Sequence, residues 1–270
     1  MKLVSKQMVK LKNYTFPLKH FGLLLTFIFF FSCGKPTYFI SKIEGKKISI
    51  TENQNSNNSN AEQLEVFIKP YRDHIDADLS EVLAFCPETL DKSKGEWQTN
   101  IGNFLADITL EKSNVILQKR ENKNCAICLL NHGGIRSVIP KGNVTARNAY
   151  EVMPFENSAI VVALKGEQIV ELINYIITEK KPHPLAGLTF TIDKNNNPTK
   201  ILIQGKPLDM AIIYYVVTSD YLSNGGDNMT FFKKGVVKFD LDYKLRNIII
   251  DNFKDVDTLK INNDVRISKE

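Results

Sequence analysis

The spacing of apolar residues predicts four helices in the chain after residue 60. In three stretches, apolar side chains recur every three or four positions, which is the spacing of one face of an α-helix. These stripes are Leu64, Phe67, Ile68, Tyr71 and Ile75; Ile101, Phe104, Leu105 and Ile108; and Ile169, Leu172, Ile173, Ile176 and Ile177. A fourth helix is predicted over residues 243–253. Each apolar stripe is expected to pack on a sheet.

Five short apolar or alternating runs predict the strands of that sheet. They cover residues 125–130, 158–164, 188–192, 199–203 and 212–218, and residues 194–198 turn the chain between the third and the fourth. Helices and strands are mixed without a regular strand–helix–strand repeat. The predicted fold class is therefore α+β, with a mixed β-sheet covered by helices, in one domain over residues 61–270.

Residues 33–60 are predicted to be a tether ahead of this domain. Polar and apolar residues alternate over residues 38–50 around Glu44-Gly45, which predicts a two-stranded hairpin. Residues 52–60 contain no apolar residue and are predicted to form an Asn-rich linker.

The first 32 residues are predicted to be an export signal. They contain five lysines and no acidic residue, and a largely apolar run over residues 21–31 ends at Ser32-Cys33. This run, at about 1.5 Å of helical rise per residue, is too short to cross a hydrocarbon core of about 30 Å, but it suits a secretory signal. Ser32 before Cys33 resembles a bacterial lipoprotein cleavage site, at which Cys33 would be lipidated; the alternative is a short uncleaved anchor helix. In both cases we expect a membrane-anchored protein on the extracytoplasmic side, the periplasmic one.

The distribution of charge excludes one class of function. The chain has 35 Lys and Arg residues against 30 Asp and Glu residues, but five of the lysines lie in the first 32 positions. The remainder is neutral overall, whereas a protein that binds the phosphate backbone of nucleic acid needs clustered excess cations. Nucleic acid is therefore not an expected partner.

The cysteines and histidines do not predict a metal or redox centre. In a strand over 125–130, period-two alternation would put Cys125 and Cys128 on opposite faces, so they could not form a disulfide without distortion. They are expected to be buried as small apolar residues. Beyond the leader only His74, His132 and His183 remain, far apart in sequence, so no metal site is expected in this chain.

One segment after a predicted strand carries residues that a packed core does not require. In residues 129–136 (LLNHGGIR), the pair Gly133-Gly134 would let the backbone approach a ligand closely. Asn131 and Arg136 beside it offer an amide and a planar cation suited to base edges, ribose or phosphate. A plain turn is the alternative interpretation of this segment.

Two further segments place aromatic rings in loops. Residues 150–157 (YEVMPFEN) read as a helix end followed by Pro and Phe155, and residues 217–227 run from a strand through Tyr221 and a two-glycine turn to Asp227. Taken alone, the first ring could be core packing and the second segment a hairpin turn. Taken with the glycine-rich segment, they supply two ring faces, an amide, a guanidinium and a carboxylate, which together suit a nucleoside. Base–aromatic stacking contributes about 1–3 kcal/mol per base.

These segments resemble the C-terminal, substrate-binding domain of the 5'-nucleotidase family over about residues 60–254. Four motifs occur in the family's order. They are Ile101-Gly102-Asn103-Phe104-Leu105-Ala106-Asp107, Asn131 to Arg136, Met153-Pro154-Phe155, and Asn224 to Asp227. The resemblance implies the fold of that domain and a nucleoside or nucleotide as the ligand.

The resemblance also implies a role for each candidate residue. In the family the base lies between two aromatic rings, which implies Phe155 and Tyr221 here. Asn131 is implied near the base, Arg136 near the ribose and phosphate, and Asp227 at the ribose hydroxyls. The full implied substrate-binding set is Asn131, Gly133, Gly134, Arg136, Phe155, Tyr221, Gly226 and Asp227.

The chain departs from the family pattern in two places. Family members often carry an arginine before the first motif for phosphate contact, and here Lys92 or Lys94 could only loosely take its place. The family's hydrolytic chemistry resides in an N-terminal metallophosphatase domain with two metal ions, and this chain lacks the ligands for such a centre.

The leading hypothesis is a lipid-tethered nucleotide-recognition domain of a split 5'-nucleotidase that acts in extracytoplasmic nucleotide hydrolysis. No catalytic residue and no cofactor are assigned to this chain, and divalent metals are expected on a partner metallophosphatase subunit. One alternative is a non-enzymatic nucleoside-binding lipoprotein for scavenging or transport. Another is a domain that serves only as a structural or interaction module.

Overall fold

The structure, a computed structural model, describes residues 41–47 and 59–270. Residues 41–47 are exposed and have no regular secondary structure; the rest of the predicted hairpin, the export signal and Cys33 lie outside the described residues. Residues Ser59–Glu270 form one compact unit, where the sequence predicts a domain from residue 61. Within the described ranges, no helix combines the length and the apolarity that crossing a membrane requires.

Six α-helices and eleven strands make up this unit. The helices are α1 (Ser59–Ser80), α2 (Asn100–Glu121), α3 (Ala146–Val152), α4 (Gly166–Glu179), α5 (Asp220–Ser223) and α6 (Leu245–Asp255). The strands are β1 (Val82–Cys86), β2 (Cys125–Leu129), β3 (Gly142–Thr145), β4 (Ser158–Lys165), β5 (Leu185–Ala186), β6 (Leu188–Ile192), β7 (Pro198–Ile203), β8 (Lys206–Pro207), β9 (Ile213–Ser219), β10 (Lys238–Lys244) and β11 (Ile267–Lys269). Short 3₁₀ turns cover His132–Gly134, Gly226–Asn228 and Thr230–Lys234.

The central sheet has five strands in the order β10-β4-β9-β2-β5. Strands β2 and β9 are parallel, and the other neighbours are antiparallel. A second sheet has the order β11-β6-β7-β8, and β1 pairs with β3. The predicted α+β class with a mixed sheet is confirmed.

Both faces of the central sheet are buried, and β4 shows why its sequence reads as one continuous apolar run. Ala159 and Val161 point to a core that α2, α3 and α6 cover, whereas Ile160, Val162 and Leu164 point to a core formed with α4 and the second sheet. A strand covered on both faces needs no polar alternation. The predicted stripes of α2 and α4 are buried accordingly.

Helix α1 forms as predicted, but the expectation that its stripe packs on a sheet is wrong. The exposed fractions are 58% for Leu64, 66% for Phe67, 63% for Tyr71 and 54% for Ile75. The C-terminal part of α1 joins the domain through an ion pair between Asp76 and Arg147 of α3 instead. Periodicity therefore predicted the helix but not what covers it.

The expectation that Cys125 and Cys128 face opposite sides of β2 is also wrong. The register against β9 shifts between Cys125 and Ile127, and such a bulge adds one residue to the alternation. Both cysteines consequently join the core under α2. Both are free thiols, and burial raises the pKa of Cys125 to about 12 and that of Cys128 well above its ordinary value, so they behave as small apolar residues.

Candidate functional site

Three segments that carry the predicted site residues meet at one edge of the central sheet. Strands β2 and β9 are parallel, so the turns that follow them leave from the same edge, and β4 begins there because it runs antiparallel to β9. A cavity of about 390 Å³ lies between these segments. It is lined by Asn131, Gly133, Gly134, Arg136, Phe155, Asn157, Tyr221 and Asp227. Seven of the eight predicted residues thus share one cavity.

The turn after β2 supplies the amide of the site. The Asn131 Nδ2 donates to Asp227 Oδ2 at 2.7 Å, which joins the turns after β2 and β9. Gly134 makes room for this amide, since a Cβ at that position would lie 2.8 Å from Asn131 Oδ1. The backbone N–H of Arg136 donates to the Val152 carbonyl at 2.9 Å, which fixes the turn to the end of α3.

The loop from α3 to β4, residues 153–157, forms the first wall of the cavity, called here the Phe155 wall. Phe155 is 41% exposed, and its ring centroid lies 5.9 Å from the Arg136 guanidinium carbon. The first turn of α6 holds this loop: Arg246 donates to the Pro154 carbonyl at 3.2 Å and forms an ion pair with Glu156. The guanidinium also lowers the pKa of the Glu156 carboxyl.

Residues 219–228 form the opposite side of the cavity, called here the Tyr221 wall. Ser219 caps α5 by accepting the Leu222 N–H at 3.1 Å. This places Tyr221 on the first turn, where the residue is 47% exposed. The chain then turns sharply with φ of 86° at Gly225 and 50° at Asp227. Gly226 does not line the cavity but lies against the Tyr221 ring, where a Cβ would come within 2.5 Å of the ring atoms.

Asp227 is the centre of the hydrogen bonds in this wall. The Tyr221 hydroxyl donates to its Oδ1 at 2.8 Å, while Asn131 donates to its Oδ2. The Asp227 backbone N–H donates to the same Tyr221 hydroxyl at 3.2 Å. One ring, one amide and one carboxylate are therefore held in fixed relation.

Beneath the two turns lies a pair of side chains that the sequence did not single out for the site. The Tyr175 hydroxyl donates to the Asp227 carbonyl at 2.7 Å, and the Nδ1 of His183 accepts the His132 backbone N–H at 3.2 Å. The two rings are in contact, with centroids 5.6 Å apart. Burial raises the pKa of Tyr175 to about 12 and lowers that of His183 to about 4, so both are neutral near pH 7.

The two lysines considered as substitutes for a family arginine lie in different places. Lys92 donates to the Ile135 carbonyl at 2.6 Å, directly before Arg136, but it does not line the cavity. Lys94 lines a separate polar cavity with Glu88 and Asp91. Of the two lysines, Lys92 is therefore the one that contacts the segment of Arg136.

The side chains that line the cavity can bind a ligand by stacking, hydrogen bonding and charge. The cavity presents two exposed rings, an amide, a carboxylate and a guanidinium. Among the residues that the structure describes, the guanidinium is hydrogen-bonded only to the Gly133 carbonyl, at 3.4 Å. Across residues 41–47 and 59–270, no group of three or more His, Cys, Asp or Glu side chains is arranged to hold a metal ion. Asn157 is the one lining residue that sequence reasoning missed, and its position next to the predicted Phe155 was the available signal.

A matching family model and several similar relatives all point to one protein family. Residues 82–234 match the sequence model of the family described as "5'-nucleotidase, C-terminal domain". The trifunctional nucleotide phosphoesterase protein YfkN of Bacillus subtilis is 30% identical over 171 residues, which are 58% of this chain and 11% of that protein. The 5'-nucleotidase of Mus musculus is 25% identical over 163 residues, or 53% of this chain and 28% of the relative.

Solved structures agree. The 5'-nucleotidase precursor from Thermus thermophilus superposes with a TM-score of 0.64 at 25% identity, covering 77% of this chain and 42% of that one. Haemophilus influenzae NAD nucleotidase, at 15% identity and a TM-score of 0.60, shows the same fold. This chain spans less than half of these relatives, and the family match covers more than half of it. The chain therefore belongs to the 5'-nucleotidase family, through that family's C-terminal domain.

Proposed function

We propose that this chain is the nucleotide-recognition domain of a 5'-nucleotidase whose metal-bearing half is a separate polypeptide. The observation that carries the proposal is the single cavity into which two exposed rings, an amide, a guanidinium and a carboxylate converge. The curated relatives in the comparison are much longer, since the matched part makes up only 11% of one and 28% of the other. Divalent metal ions would belong to the partner and not to this chain.

In this proposal each lining side chain has one task. The base lies between Phe155 and Tyr221, and Asn131 faces its edge. Asp227 accepts hydrogen bonds from the ribose hydroxyls, and its carboxylate is already oriented by two donors. Arg136 faces the phosphate, because its guanidinium lies over Phe155 and, among the described residues, uses one donor, for the Gly133 carbonyl.

Calorimetry with adenosine and AMP tests the recognition half of the proposal. Each stacked ring is expected to contribute about 1–3 kcal/mol, so Phe155→Ala and Tyr221→Ala should each weaken binding by roughly five- to a hundredfold. Tyr71→Ala is the matched control, since Tyr71 is an exposed aromatic on α1 outside the cavity. Equal affinity of all four proteins would refute the ring clamp.

A reconstitution tests the catalytic half. The purified chain with added Mn²⁺ or Mg²⁺ should release no phosphate from AMP, and activity should appear when a metallophosphatase subunit copurifies with it. That activity should fall with Phe155→Ala. Metal-dependent hydrolysis by the single chain would contradict the split arrangement, whereas nucleoside binding with no such partner would favour a binding lipoprotein.

We propose that the chain lies on the extracytoplasmic side of a membrane and is anchored there by a lipid attached to Cys33. Cys33→Ser should remove the chain from the membrane fraction and abolish labelling by fatty acid. Retention of the variant in the membrane fraction would favour the uncleaved anchor helix instead.

A further inference from the structure

Tyr175 and His183 connect the two turns that carry the polar groups of the cavity. Tyr175 lies on α4 and reaches the turn after β9 through the Asp227 carbonyl. His183 follows α4 and reaches the turn after β2 through the His132 backbone N–H. Because the two rings touch, the pair forms a continuous support from one turn to the other.

This support acts on a contact that the proposed site needs. Asn131 and Asp227 are separated by 96 positions in sequence, and their side chains meet at 2.7 Å. The Tyr175 and His183 bonds go to the backbone of Asp227 and of the residue after Asn131. These two bonds therefore hold the backbone from which the Asn131 and Asp227 side chains extend, and they leave the side-chain atoms that would face a ligand unoccupied by Tyr175 and His183.

The imidazole at position 183 is not explained by stability alone. His183 is 4% exposed, and its Nε2 has no hydrogen-bond partner among the described residues. Since Nδ1 accepts a hydrogen bond, Nε2 carries the proton of the neutral ring, and a buried donor without an acceptor destabilises a fold. Such a departure from complete hydrogen bonding is expected where a residue serves a site.

We propose that Tyr175 and His183 are positioning residues that set the spacing of Asn131 and Asp227, and thereby the preference of the cavity for a ligand with ribose hydroxyls. This inference rests on the proposed nucleotide site. Neither residue touches the ligand in this arrangement. Their effect should appear in the ratio of affinities for ligands that differ only in those hydroxyls.

The first test measures the affinities of the full chain for adenosine and for 2',3'-dideoxyadenosine. Tyr175→Phe removes one hydroxyl and keeps the ring, so it should weaken adenosine binding by roughly three- to tenfold, as expected for one neutral hydrogen bond. It should weaken binding of the dideoxy ligand less, because that ligand shares only the base contact of Asn131, so the ratio of the two affinities should fall. Tyr214→Phe is the matched control, because the Tyr214 hydroxyl bonds to the backbone of Asp209, and neither residue lines the cavity. It should leave the ratio of the two affinities unchanged.

The second test uses rescue at position 183. His183→Leu removes the acceptor for the His132 N–H and should reduce the same ratio, whereas His183→Asn places an oxygen near the Nδ1 position and should restore it. A folded Tyr175→Phe chain with the wild-type ratio, or equal ratios for the Leu and Asn variants, would overturn the positioning role while the nucleotide site stands. A wild-type chain that binds neither nucleoside would overturn the proposed function, and the positioning role with it.

Discussion

The two walls of the cavity present similar rings but are built in different ways. In the Phe155 wall, the ring makes no hydrogen bond, and the loop is held from outside, by Arg246 on the Pro154 carbonyl and by Lys244 on the Glu156 carbonyl. In the Tyr221 wall, the ring hydroxyl itself is bonded to Asp227, which also accepts from Asn131.

The difference decides how each wall should respond to substitution. Removing one external anchor of the Phe155 wall leaves the others, which include the Leu245 N–H that donates to the Asn157 carbonyl at 2.9 Å, so the loss of affinity should be partial. The Tyr221 wall shares one carboxylate among its groups, and interactions that share a partner are not additive. We therefore expect single changes in the Tyr221 wall to have the larger effects.

The largest effect is expected for Asp227→Ala. The change removes the acceptor of the Tyr221 hydroxyl and of the Asn131 amide, together with the proposed contact to the ribose. Hydrogen bonds to a charged group are worth about 1.5–3 kcal/mol, so adenosine affinity should fall by roughly a hundredfold in calorimetry. Asp193→Ala is the control, because the Asp193 carboxylate also accepts two hydrogen bonds, from the backbone N–H groups of Asn195 and Asn197, but does not line the cavity.

The proposed difference between the two walls would be refuted if Asp227→Ala weakened adenosine binding no more than Phe155→Ala does. The two walls would then contribute alike, and the shared carboxylate would carry no special weight. Asp227→Asn sharpens the same point, because it keeps the shape and one acceptor oxygen but removes the charge. The adenosine affinity of the Asp227→Asn chain should lie between those of the wild type and of the Asp227→Ala chain.

The support under the Tyr221 wall can be tested without a ligand, through the dependence of stability on pH. Burial lowers the pKa of His183 to about 4, with smaller contributions from His132 and Lys181, against which Asp227 and Glu179 act. The unfolded chain therefore takes up a proton near pH 6.5 that the folded chain refuses until about pH 4. Stability is lost as the pH falls through this window, by about 2 kcal/mol between pH 7 and pH 5.

Urea unfolding at these two pH values measures that loss. The His183→Asn chain should lose less stability over the same interval, by about the His183 contribution, since other titrating groups are common to both proteins. Parallel pH profiles of the two chains would show that His183 is not held neutral in the folded state.

Gly226→Ala should have a smaller effect, confined to the ring. A Cβ at this position would meet the Tyr221 ring at 2.5 Å, and the exposed ring can swing away from the cavity. The cost in adenosine affinity should match that of Tyr221→Ala, roughly tenfold for the loss of one stacked ring. The chain that carries both Gly226→Ala and Tyr221→Ala should bind adenosine no more weakly than either single variant. Additive losses of affinity would mean that Gly226 does not act through the Tyr221 ring.

The sequence predicted most of the fold because apolar periodicity records burial. Helix α4 and helix α1 carry similar stripes, yet only that of α4 is buried. The difference depends on neighbours that are distant in sequence, which periodicity cannot reveal. For the same reason the faces of Cys125 and Cys128 were predicted wrongly, since a bulge depends on the pairing with β9.

The cavity was predicted from motifs, and its supports were not. Phe155, Tyr221 and Asp227 follow buried elements in segments whose composition a core does not explain, so they could be recognised. Tyr175 lies beside the ordinary apolar stripe of α4, and His183 follows that helix; nothing local marks either residue. Their role depends on the parallel pairing of β2 with β9, which brings the two turns to one edge.

The smallest effect is expected for Arg246→Met, which weakens the Phe155 wall from behind. Arg246 stacks on the Tyr150 ring at 4.2 Å, and methionine would keep part of that packing while it loses the bonds to Pro154 and Glu156. Lys244 still holds the Glu156 carbonyl, so adenosine affinity should fall only about threefold, equivalent to about 0.7 kcal/mol.

Arg147→Met is the control for this change, because Arg147 forms an exposed ion pair with Asp76, and such pairs contribute about 0–1 kcal/mol to stability. It should leave adenosine affinity unchanged. In a Phe155→Ala background, Arg246→Met should have no further effect on affinity, because its influence reaches the ligand only through that ring. If instead the loss for Arg246→Met equalled that for Asp227→Ala, the external anchors would matter as much as the shared carboxylate, and the two walls would not differ in the way their hydrogen bonds indicate.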